Sequence, residues 1–157
     1  MAKTKSPTGT AATSRGSQAF TDEEKAAMRE TARERKAQAG RTKRNEREEG
    51  ERDLQAKIAE MPKPDRVMAE RIHALVSAAA PELVPRTYYG MPAWAKDGSV
   101  LCFFTPAAKF KSRYASFGFN DNAMLDEGTM WPAAWALTRL TPADEKKITA
   151  LVKKAVS

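Results

Sequence analysis

The chain has 157 residues, 41% of them hydrophobic and 30% charged, with a formal net charge of +7 at pH 7. That length suits one domain of ordinary size plus a tail, and no apolar run approaches the roughly 20 residues that span a bilayer. The single cysteine, Cys102, permits no internal disulfide; in the run "VLCFF" it reads as a buried thiol, and a cytoplasmic protein is the default expectation.

Residues 1–19 are basic, rich in Ser and Thr, and free of acids, with none of the apolar core of a secretory signal. They read as a disordered tail; a transit peptide is the less common alternative. At "FTDEEKAAMRETARERKAQAG" a helix start appears. Thr21 can cap, Glu24 stands three residues on at capping-box spacing, and Asp22, Glu23 and Glu24 suit the positive end of the helix dipole. Residues 20–53 then form a charged helical extension, rich in Glu, Arg, Lys and Ala. Gly40 and Gly50 interrupt it, each costing about 1 kcal/mol against Ala in a helix interior. There is no sustained heptad, and no apolar stripe until Leu54, Ile58 and Met61. Of the twelve aromatic residues only Phe20 precedes residue 60. The core is therefore expected from residues 54–157, and the first 60 residues are not expected to build one.

The spacing of Met68, Ile72, Leu75, Val76 and Ala79 predicts an amphipathic helix, with Asp65 as its N-cap behind Pro64 and Pro81 marking its end. The aromatic and β-branched stretches "RTYYGMPAWA" and "SVLCFFT" read as two strands joined at Asp97-Gly98, a hairpin turn signal. "FKSRYASFGF" is a third strand and "AAWALTRL" a fourth. The last element, "TPADEKKITALVKKAV", has Thr141 as cap, Pro142 at the first helical position, Asp144 at capping-box spacing, and an apolar stripe of Ile148, Leu151, Val152 and Ala155. Sequential strands with short links favour an antiparallel sheet. An α+β domain follows: two layers, four to five strands, with an N-terminal and a C-terminal helix covering one face.

The blocks "YYGMPAW", "GSVLCFF", "KFKSRYASFGFND" and "LDEGTMWPAAWALTRLTPADEKKITALVKKAV" together resemble the YdhG-like family, over about residues 54–157. The resemblance implies a frataxin-like fold, with helices packed on an antiparallel sheet. It also brings iron into view as a ligand, since at least one relative is described as a frataxin-like iron chaperone.

Four features could carry function. In "YYGMPAW", Gly90 and Pro92 bend a strand, so its rings either plug the core or line a shallow pocket made by Tyr89, Met91, Trp94 and Trp131 or Trp135. Trp131, just before a strand, is expected to be a core ring. In "FNDNAMLDEGTMW", Asp121, Asp126 and Glu127 are hard oxygen ligands of the kind that bind iron or calcium. Their spacing is not that of an EF-hand, since Met124 falls where a ligand is needed, and turn chemistry is the competing account. In "KFKSR", Lys109, Lys111 and Arg113 would share one face of a strand and could bind single-stranded nucleic acid; a solvated outer face is the plainer reading. His73, the only histidine, is expected at the surface or boundary. No phosphate-cradling loop, serine elbow or zinc spacing is present, so no catalytic residue is assigned. These features point to a non-enzymatic binding domain for iron or another small ligand. The alternative is a nucleic-acid-associated protein using the basic arm and the Lys109–Arg113 strand, with weak, non-specific binding.

Overall fold

The computed structural model describes residues 19–157. The tail expected over residues 1–19 lies outside them, apart from Ala19. Three helices come first: α1 (Asp22–Ala39), α2 (Lys43–Ala59) and α3 (Lys63–Ala79). Five strands follow, β1 (Val84–Tyr88), β2 (Met91–Lys96), β3 (Ser99–Thr105), β4 (Ala115–Phe119) and β5 (Ala134–Leu137), and then α4 (Pro142–Val156). The strands form one antiparallel meander in the order β1-β2-β3-β4-β5, giving the α+β class that the strand spacing predicts. No helix among the described residues is long and apolar enough to cross a membrane.

Both predicted capping boxes form. Thr21 accepts from the Glu24 amide at 3.1 Å, and Thr141 from the Asp144 amide at 3.2 Å, with the acidic side chain reaching back in each case. The start of α3 differs from expectation. The helix begins two residues before Asp65, with Pro62 as N-cap, and Asp65 lies buried in its first turn. Its carboxylate accepts from the amides of Ala107 and Ala108, both at 3.1 Å, so it pins the connection after β3 in place of capping its own helix.

The stretch "RTYYGMPAWA" is two strands. Tyr89 and Gly90 both take positive φ, 52° and 75°, and make a two-residue hairpin turn between the paired Tyr88 and Met91. The irregularity expected at Gly90 falls further on, where the β2–β3 register slips between Trp94 and Ala95 and leaves Leu101 without a partner. That extra residue explains why neighbouring Leu101 and Cys102 both reach the core. Asp97-Gly98 makes the predicted turn, with φ of 50° and 82°. The third strand is shorter than expected. Residues 108–110 form a single helical turn ended by Lys111 at φ 54°, and β4 starts only at Ala115.

The core lies between one sheet face and α2, α3 and α4. Trp94, Phe104 and Phe117 are its largest fully buried side chains, met by Leu54 and Ile58 of α2, Ile72 and Val76 of α3, and Val152 of α4. Rings run in a row across the strands: Trp94 to Phe117 at 6.3 Å, Phe117 to Phe119 at 5.1 Å, and Phe119 to Trp135 at 5.8 Å, the last two edge-on.

The charged helical extension packs against the sheet. Helix α2 runs unbroken through residues 53 and 54 and seats Gly50 on β1, where a Cβ would collide with the Pro85 carbonyl. Edge-strand carbonyls are costly if left bare. Here Arg47 donates to Leu83 O at 3.2 Å and Gln38 to Thr87 O at 3.4 Å, while Pro85, on the same alternation, has no amide to leave unpaired. Helix α1 passes to the opposite side of the sheet. There Glu34 accepts from the Gly90 amide at 2.7 Å and Gln38 meets Arg86, so that end of the sheet is covered on both faces.

Candidate functional site

In β1, Pro85 and Thr87 alternate with Arg86 and Tyr88, so Arg86 projects away from the core. It enters a cavity of about 650 Å³ walled by α1, β1, the Asp97-Gly98 turn and the segment after β4. The Asp97-Gly98 turn brings the Gly98 carbonyl to Arg86, which donates to it at 3.2 Å; Gln38 of α1 accepts a second bond. Arg86 forms no ion pair among the described residues, and its buried Nε has no partner. Burial pushes the guanidinium below its ordinary range, and the carboxylates of Glu34 and Glu46 offset that only in part. Arginine stays protonated, so this is a half-buried cation whose hydrogen bonds go to neutral acceptors, with Glu34 and Glu46 acting on it only through space.

Across the cavity Asn122 donates to Ser99 O at 3.5 Å, which leaves its own Oδ1 buried without a partner. Asn120 is fixed by a bond to Val100 O at 3.0 Å. Two buried polar atoms of lining residues, Arg86 Nε and Asn122 Oδ1, thus lack a partner. Thr31, Tyr88 and Ser99 add hydroxyls, and Glu34 and Asp121 add the acidic groups of the lining. Such a surface suits a small anion that also carries a hydroxyl or amino group.

The structure does not unite the four residues of the expected aromatic pocket. Tyr89 and Met91 line a small apolar cleft of about 330 Å³ with Phe20, Met28 and Phe110. Trp94 is 1% exposed, on the core side of the sheet. Trp131 is 36% exposed in the segment before β5, where every residue from Asp126 to Ala134 is exposed; it is not a core ring. The three acids are also apart in role. Asp121 lines the Arg86 cavity, whereas Asp126 and Glu127 lie in the exposed segment, and no metal-binding group of three His, Cys, Asp or Glu occurs among the described residues.

The basic stripe is absent because its residues precede β4. Lys109 pairs with Glu30 at 3.2 Å and Lys111 with Glu23 at 2.6 Å, both on α1, and Arg113 lies over the Tyr114 ring. His73 sits at the boundary between α3 and the core. Its Nδ1 accepts from the Trp94 indole at 3.1 Å and its Nε2 meets Glu51 at 2.6 Å. An indole can only donate, so the proton of neutral His73 lies on Nε2. Burial alone would raise the Glu51 carboxyl, but bonds from Gln55 and His73 outweigh it and hold it below its ordinary range. Cys102 is fully buried, and burial drives its thiol far above the range in which a reactive thiolate forms.

Sequence reasoning missed Arg86 and its partners. The one local signal was an arginine alternating with Pro85 and Thr87 in a strand otherwise free of charge. In comparisons with known proteins, no family model, curated protein or solved structure matches the chain.

Proposed function

We propose that this chain is a small, non-enzymatic binding domain that holds a polar anion in the cavity between α1 and the outer side of β1. The observation that supports this most is Arg86. A guanidinium half removed from water, with no carboxylate partner and an idle Nε–H, is satisfied best by a ligand bringing its own negative charge. The buried Oδ1 of Asn122 asks the same ligand for a donor. A carboxylate or phosphate ester bearing a hydroxyl or amine meets both needs. The resemblance to the YdhG-like family fits a binding role but favours iron, which has less support here because Asp121 stands apart from Asp126 and Glu127. Nucleic-acid binding through Lys109 and Lys111 has less support as well, since α1 carboxylates already hold both cations.

Thermal unfolding of the wild type and of Arg86→Gln in the presence of phosphate, succinate, citrate or glutamate tests the proposal. A ligand at about a hundredfold excess over its Kd stabilises by about 2.7 kcal/mol, which is a rise of several degrees for a domain of this size. At least one of these anions is expected to raise the wild-type Tm and to leave Arg86→Gln unmoved. Equal shifts in both proteins, or none in the wild type, would overturn the reading.

A further inference from the structure

On the helical side of the molecule a groove of about 790 Å³ runs between α3 and the β5–α4 connection. Its apolar lining comes from Pro64, Val67, Met68 and Ala74 on α3 and Leu140 across from them. Val67 is 53% exposed, which is high for a branched apolar side chain facing a concave surface. Arg71 and Glu145 clasp each other between α3 and α4. Lys63 and Arg139 also line the groove, and neither forms an ion pair among the described residues; Glu70 is the one lining carboxylate without a cation. The groove therefore joins an apolar floor to a net excess of unpaired positive charge.

Size decides what fits. The lining residues of α3 run from Lys63 to Ala74, about 16 Å along the helix axis. A volume of about 790 Å³ lies inside the span usual for small-molecule sites. We infer that the groove binds a single-chain anionic amphiphile, its chain along Val67, Met68, Ala74 and Leu140 and its acidic head at Lys63 or Arg139. This site is separate from the Arg86 cavity, which lies beyond the opposite face of the sheet.

The test is calorimetric titration of the full chain with dodecanoate below its micelle concentration, with dodecyltrimethylammonium as the cationic match. Saturable binding of dodecanoate is expected, with much weaker binding of the cation. Val67→Glu and the double change Lys63→Glu with Arg139→Glu are exposed changes that leave the core alone, and each of the two variants should weaken dodecanoate at least about tenfold, or 1.4 kcal/mol. Arg86→Gln should have no effect, which separates this site from the anion cavity. Equal binding of both amphiphiles, insensitivity to Val67→Glu, or no saturable binding would each overturn the inference.

Discussion

Gly50→Ala offers a sharp test of how the N-terminal helices are joined to the sheet. On helix propensity alone the change should stabilise α2 by about 1 kcal/mol. The packing argues the reverse. A Cβ at residue 50 would fall inside contact distance of the Pro85 carbonyl oxygen and 3.1 Å from its carbon. Both are backbone atoms of a paired strand, so no flexible side chain can yield, and α2 must lift from β1. Leu54 and Ile58, one and two turns further along the same helix face, are 0% and 1% exposed and would lose contact with it. Overpacking of this kind costs about 1–3 kcal/mol, and partial loosening of two buried aliphatic side chains adds to it. The expected net loss is about 2–3 kcal/mol after the propensity gain. Gly40 is the control, because a Cβ there meets nothing nearer than 3.7 Å and its φ is −86°. Gly40→Ala should therefore be neutral or slightly stabilising. Urea unfolding of the full chain followed by circular dichroism measures both. Stabilisation by Gly50→Ala equal to that of a free helix would refute the reasoning and make residues 20–53 an independent arm.

Three other outcomes follow from the same geometry. Asp65→Ala removes the acceptor of two loop amides and should cost about 2–4 kcal/mol in chemical unfolding, with Asp65→Asn losing less because one oxygen remains. Trp131→Ala should cost less than about 1 kcal/mol, since the ring sits in an exposed segment; a loss typical of an emptied core site would show that the segment packs. The capping box of α4 sets a pH dependence: bonds from the Thr141 amide and hydroxyl lower the Asp144 pKa from its ordinary 3.8. A depressed folded pKa adds stability above the unfolded value and loses it as pH falls through the folded one. Unfolding of Thr141→Ala against wild type should accordingly show a gap at neutral pH that narrows in acid below the ordinary Asp range, without closing, because the Thr141 hydroxyl also accepts from the Asp144 amide at any pH.

What could be read from the sequence was local. Thr21 with Glu24, and Thr141 with Pro142 and Asp144, sit within one turn of the helices they start, and Asp97-Gly98 is a two-residue turn whose positive φ suits an aspartate and a residue without a Cβ. The hidden parts depend on distant neighbours. Tyr89 adopts positive φ, which a tyrosine rarely does, because β1 and β2 fix the turn around it. Helix α1 has no apolar stripe to betray its docking; Ala27, Thr31, Glu30 and Glu34 hold it by small size and polar ties. The Arg86 cavity is assembled from Gln38, Arg86, Gly98 and Asn122, so no short window of sequence contains it. Acidic residues with turn-like spacing, by contrast, were visible as a set but are not gathered by the fold.

The most direct measurement of the central claim is the ¹H–¹⁵N resonance of the Arg86 Nε–H group, assigned by its loss in Arg86→Gln, during titration with the anion that stabilises the protein best. The account predicts a saturable shift of that resonance together with the amides of Gly98, Ser99 and Asn122, while the arginines outside the cavity stay still. Shifts spread over the exposed lysines and arginines with Arg86 unmoved would contradict it.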